Sequence, residues 1–132
     1  MTVHVVVTGI GLVTPLGLNR HSTWDGLVAG RSGIDHISLF DAEDFVTRIA
    51  AEVDDFDAAA SLGRKESRRL DRFAQFACVA TVEALEDAGI DMAAEDADRV
   101  GVLQINRTSQ AVGCDRHALL SQFLARLGRV HV

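Results

Sequence analysis

Apolar positions are unevenly distributed along this 132-residue chain, and their spacing changes character from segment to segment. Val3 to Val7 is β-branched except at His4 and runs without alternation, the pattern of a strand buried on both faces of a parallel sheet, so a first strand is expected there. Gly9, Gly11 and the single proline, Pro15, break that run. Asn19 or Ser22 is positioned to cap a short helix that continues through Leu27 and ends at Gly30. Between Gly33 and Ala60, acidic residues interleave with Phe40, Phe45, Ile49, Val53 and Phe56, a pattern open to short edge strands or to irregular surface structure. The strongest periodicity comes next. Leu70, Phe73, Ala74, Ala77, Ala80, Ala84, Leu85 and Ala88 recur at intervals of three and four, which predicts one helix from about Arg64 to Ala88 with Gly89 stopping it. A polar turn over Asp91 to Asp98 leads to a second expected strand, Arg99 to Leu103. This order of elements reads as α/β.

Composition narrows the function classes. A 48% hydrophobic content over this length suits one folded domain or a piece of one and is too apolar for a disordered chain. The net charge of −6 argues against general affinity for nucleic acid or anionic membrane, so any basic contact must be local. The run Val3 to Val13 lacks a basic flank, is interrupted by Thr8, Gly9 and Gly11, and is too short to span a bilayer. Cys78 and Cys114 are not spaced as a metal knuckle, and two thiols without a signal peptide fit a reducing compartment, which favours the cytoplasm. His4, His21, His36 and His131 form no metal spacing either, so neither a metal site nor a cofactor is implied.

Two motifs invite a chemical reading. Gly9 and Gly11 after a first strand suggest a dinucleotide-binding turn, but Thr14 stands where the third glycine belongs and Pro15 removes an N–H where a phosphate cradle needs one. A tight strand-to-helix turn explains the glycines better. The second motif is basic. Lys65, Arg68, Arg69 and Arg72 fall at i, i+3, i+4 and i+7, so on one helix they form a continuous cationic strip. Cations near a helix N-terminus oppose its dipole, as do Glu83, Glu86 and Asp87 near the other end, so helix stability does not account for the arrangement. A solvated face, softened by Glu66 with Arg69 or Asp71 with Arg68, is the plain alternative.

The stretch Val6 to Gly17 reads V-V-T-G-x-G-x-x-T-P-x-G, followed by Ser22-Thr23-Trp24, Leu27, Ala29-Gly30 and Ser32-Gly33-Ile34. Arg64, Lys65, Arg68, Arg69 and Asp71 complete R-K-x-x-R-[KR]-x-D. Together these motifs resemble the opening of a β-ketoacyl-acyl-carrier-protein synthase, a condensing enzyme of fatty-acid synthesis, over residues 2 to about 103. The resemblance implies a thiolase-like fold of layered α/β/α/β/α type, present here only as its N-terminal elements, and a homodimeric parent. It also implies a docking site for acyl carrier protein, whose recognition helix is acidic, with Lys65, Arg68 and Arg69 as the expected contacts. A polyketide ketosynthase shares the same opening motifs, and a non-enzymatic carrier-binding module is an alternative of a different class. Strands lacking their neighbours would expose edges and apolar surface, so the isolated chain is expected to be marginally stable or aggregation-prone.

The family's reaction needs a cysteine nucleophile, two histidines and a lysine, all of which the resemblance puts beyond the matched region. Cys78 lies in the apolar helix pattern and reads as a small hydrophobe, while Cys114, beside Arg116 and His117, lacks the small-residue motif of the family nucleophile. No catalytic residue is therefore expected in this chain. Residues 1–101 hold 9 basic and 18 acidic side chains, whereas residues 102–132 hold four arginines and only Asp115. Where the family continues into a glycine-rich segment, this chain has Gln104-Ile105-Asn106-Arg107. Twelve arginines to one lysine and 18 alanines point to a GC-rich gene, in which a shifted reading frame yields such a tail. Residues 104–132 are thus expected to be a divergent, frameshifted segment, or else a genuine new helix carrying Leu119, Leu120, Phe123, Leu124 and Leu127.

Overall fold

Asn19 turns the chain into its first helix. In the computed structural model, which describes residues 4–91, 94–96 and 99–101, helix α1 spans Arg20–Val28. Asn19 Oδ1 accepts the Ser22 N–H at 2.8 Å and Ser22 Oγ accepts the Asn19 N–H at 3.3 Å, so the two candidate caps act as one reciprocal box. At the other end Gly30 has φ +66°; its N–H bonds the Leu27 carbonyl and the Arg31 N–H bonds the Gly26 carbonyl, both at 3.0 Å. That pair of bonds is a Schellman ending, which requires the left-handed conformation glycine adopts freely.

The stretch after α1 forms short pieces. Strands β1 (Asp35–His36) and β2 (Ile49–Ala50) pair antiparallel, with Asp35 opposite Ala50 and His36 opposite Ile49. Helix α2 (Ala58–Leu62) follows, capped by Asp57, whose carboxylate accepts the Ala59 N–H at 2.8 Å. Two further helices complete the element order, α3 (Arg64–Ser67) and α4 (Arg72–Ala88), the latter ending at Gly89. These elements lie in the first of two units, Met1–Gly89 and Ile90–Val132. Helix and strand are therefore mixed, as expected, but the paired strands are short and antiparallel. No helix among the described residues is long and apolar enough to cross a membrane.

Three expectations are corrected. His4 to Val7 belong to no strand, and Val5, Val6 and Val7 are 92%, 74% and 81% exposed. Their β-branched run suits a sheet interior, yet among the described residues no strand pairs with them, and a strand exists only through its ladder. The long helix is broken over Arg68 to Asp71, because Asp71 adopts φ −64°, ψ 156° and takes the backbone out of the α region. Arg99 sits in a tight turn, its N–H bonded to the Asp96 carbonyl at 2.9 Å, and Val100 and Gly101 are in no strand. The remainder of that expected strand, Cys114 and the expected tail helix fall outside the described residues.

The glycine turn lies directly on α4. A Cβ at Gly11 would run into the Ala80 carbonyl and stand 2.8 Å from the Ala84 nitrogen; one at Gly9 would meet the Ala84 carbonyl and stand 2.8 Å from the Ala88 Cβ. Glycine is required here for close approach to the alanine face of α4, where the backbones touch. Among the described residues only small side chains are buried, Ala58, Ala74 and the hydroxyl-bearing Thr23, and no large one is fully enclosed.

Two outcomes follow from this packing. Gly11→Ala forces backbone against backbone and is expected to destabilise the turn by about 1 kcal/mol or more, seen as cleavage by thermolysin accelerated about fivefold or more; an unchanged rate would mean that the turn yields freely. Glu52 accepts the Ser38 hydroxyl at 2.7 Å and the Ser38 N–H at 2.9 Å, with a longer bond from the Leu39 N–H at 3.4 Å. The Ser38 bonds hold its carboxyl below the ordinary value. A depressed folded-state pKa means that this contact stabilises above the ordinary carboxylate value and is lost as pH falls through the depressed one. The Ser38 and Leu39 amide resonances should therefore move together in an acid titration, and the transition should vanish in Glu52→Gln.

Candidate functional site

The cationic run does not form one straight strip. Lys65 lies on α3, Arg68 is its C-cap, Arg69 lies in the bend, and Arg72 opens α4. Breaking the helix separates their fates. Arg64, Lys65, Arg68 and Arg69 are all exposed and line one open depression of about 520 Å³. Arg69 makes a long ion pair with Glu66, Nη1 to Oε1 at 3.9 Å, which neutralises little in water. The structure thus brings together Lys65, Arg68 and Arg69, the three residues singled out from sequence, and adds Arg64 to them.

Arg72 has a different role. Its guanidinium donates to the Phe56 and Val53 carbonyls, each at 3.1 Å, and lies over the Phe56 and Phe76 rings at 4.8 and 5.0 Å from their centroids. The two rings meet edge to face at 4.8 Å. A planar fork stacked between rings and bonded to two carbonyls is a tie between α4 and the segment before α2, a role for which lysine is a poor substitute. Helical periodicity alone could not separate this arginine from its neighbours.

The corner carrying the cations is closed from within. Gln75 Nε2 donates to the Ser67 carbonyl at 2.8 Å and to the Leu70 carbonyl at 3.0 Å, taking up groups that the interrupted helix leaves without intrahelical partners. A second, smaller depression of about 280 Å³ adjoins it, lined in part by Phe56, Asp57, Arg68, Arg72 and Gln75.

The other motifs are used structurally. Glu83 accepts the Leu12 N–H through Oε2 and the Arg20 N–H through Oε1, both at 2.8 Å, while Asp87 accepts the Ile10 N–H at 3.0 Å and pairs with the Arg20 guanidinium. The amides at Ile10 and Leu12, which a bound pyrophosphate would need, already serve carboxylates of α4. Thr14, the residue that spoils the dinucleotide pattern, closes the turn with Gly17 through N–H to carbonyl bonds of 2.9 and 3.1 Å, and its hydroxyl lies 3.0 Å from that of buried Thr23. Cys78 is half-buried along α4.

Comparison with known proteins agrees with these motifs. The profile of the family described as "Beta-ketoacyl synthase, N-terminal domain" matches residues 2–117. A protein from a Synechocystis species named 3-oxoacyl-acyl-carrier-protein synthase 2 is 48% identical over 99 residues, 75% of this chain and 24% of that protein. Proteins of the same name from Vibrio harveyi and Staphylococcus aureus are 44% identical over 98 residues and 40% identical over 100, covering 74% and 76% of this chain and 24% of each relative. The chain thus spans about a quarter of the length of these curated relatives.

Arg72→Lys keeps the charge and removes the fork. Loss of its stacking and paired carbonyl bonds at this exposed site should cost about 1 kcal/mol, and amide exchange in α2 should quicken about fivefold. Unchanged protection in α2 would show that Arg72 ties nothing down.

Proposed function

The chain belongs to the β-ketoacyl synthase family, and on that footing we propose that it forms the N-terminal part, residues 1–103, of an acyl-carrier-protein-dependent condensing enzyme of fatty-acid synthesis. Its fold is then the opening portion of a thiolase-like domain, with residues 104–132 as a separate divergent segment. The complete enzyme is a cytoplasmic homodimer that condenses an acyl-enzyme thioester with malonyl-carrier protein as the latter loses carbon dioxide. Residues of this chain contribute docking to that reaction, and the acyl transfer belongs to the family's cysteine, histidine and lysine motifs.

One observation carries the reading: four exposed cations, Arg64, Lys65, Arg68 and Arg69, surround a single open depression on an otherwise acidic chain. A concentrated positive surface on a protein of net charge −6 attracts an acidic partner locally. Lys65, Arg68 and Arg69 are the proposed contacts. The relatives are named for acyl carrier protein, which supports that partner. A second reading, a non-enzymatic carrier-binding module, is favoured by the confinement of these cations and the groups that hold them to the unit Met1–Gly89.

Binding of holo-acyl carrier protein to the 132-residue chain tests the docking shared by both readings. Affinity should fall as ionic strength rises from about 0.01 to 0.1 M, where the screening length shrinks from about 30 to about 10 Å. The pair Lys65→Glu and Arg68→Glu should weaken binding about tenfold or more. A folded chain that ignores carrier protein, or binds it equally after the reversals, would sink the docking reading.

A further inference from the structure

We infer that Gln75 is a positioning residue for carrier docking: its side-chain amide sets the shape of the cationic corner without being one of its charges. The inference rests on the docking reading above and goes beyond it, because it concerns how the contact surface is held.

A straight helix from Arg64 onward would present Lys65, Arg68, Arg69 and Arg72 along one ridge. Instead the backbone leaves the α region at Asp71, and the last carbonyls of α3 keep only turn bonds, Glu66 from the Arg69 N–H at 3.0 Å and Ser67 from the Leu70 N–H at a long 3.5 Å. Gln75 reinforces this weakly bonded end. It has two amide protons and spends both here, on Ser67 and Leu70, the residues flanking Arg68 and Arg69. Its backbone N–H also bonds the Asp71 carbonyl at 3.0 Å, so the first turn of α4 and the end of α3 are tied through one residue. Both side-chain bonds are partly buried, where an unmet carbonyl is costlier than at the open surface. Arg68 and Arg69 lie between two fixed points, and the depression they share with Arg64 and Lys65 depends on that bend.

Arg72 ties the same end of α4 elsewhere. By bonding the Val53 and Phe56 carbonyls it joins the start of α4 to the segment before α2. Of the two side chains, Gln75 is the one that bonds the cation-bearing bend itself. Long, flexible cationic side chains bind more tightly when their backbone is held in place, since less freedom is lost on docking.

The test uses the 132-residue chain and holo-acyl carrier protein. Gln75→Met preserves length and helix preference but removes both donors, and Gln75→Asn keeps the amide while shortening its reach. Each should weaken binding about threefold to tenfold while leaving the slope of affinity against salt unchanged, because every cation remains. Combined with Arg68→Ala, the loss should be smaller than the product of the separate losses, since both act through one bend. A purely structural role would lower thermal stability and leave the affinity of the folded fraction at its original value, and that result would overturn the inference. If Lys65→Glu with Arg68→Glu weakens binding but the folded Gln75 variants do not, the inference alone fails. If the charge reversals also have no effect, docking at this corner fails and takes the inference with it.

Discussion

The joining of the glycine turn and α1 to the long helix hangs on the contact between that turn and α4. Two conditions make it possible. The turn has no side chain at Gly9 and Gly11, so it can lie against the alanine face of the helix, and the helix presents Glu83 and Asp87 one turn apart to receive its amides. Acidic groups near a helix C-terminus cost about 0.3–1 kcal/mol each. Hydrogen bonds to charged groups contribute about 1.5–3 kcal/mol, and those from Leu12 and Arg20 to Glu83 are partly buried, so the tertiary gain outweighs the local penalty there. Glu83 also meets the first N–H of α1, where a negative charge complements the helix dipole. Turn, first helix and long helix are thereby joined through two carboxylates.

The opposite end of α4 obeys different constraints. Arg72 is held by aromatic rings and carbonyls, which fixes where the helix begins. With that start fixed, residues Arg68 to Asp71 must bend, and Gln75 satisfies the carbonyls exposed by the bend. The cations of α3 and the bend are left facing solvent around one depression. An exposed cationic surface thus arises as the remainder after packing has withdrawn one arginine and capped the corner.

The exposed apolar residues fit membership in a family whose relatives are about three times as long. Val5 to Val7, Trp24, Leu27, Val28 and Val46 face water, while burial in the described residues is confined to small side chains. A β-branched run without a ladder cannot satisfy its backbone groups through a sheet, and so this segment forms no strand here.

Much was legible without coordinates. The family followed from the spaced motifs around Gly9 to Gly17 and Arg64 to Asp71, the ends of α1 from Asn19, Ser22 and Gly30, and the end of α4 from Gly89. These signals are local: capping bonds span two or three residues, glycine acts on its own backbone, and periodicity reports one face of one helix. The purpose of Glu83 and Asp87, the division of the basic run, and the latch at Gln75 were decided only in three dimensions. Glu83 and Asp87 bond to amides 63 to 77 positions away, and Arg72 to carbonyls 16 and 19 positions away. No helical or strand period encodes such separations, so identical charges on one predicted stripe acquired opposite fates only when the chain folded back on itself.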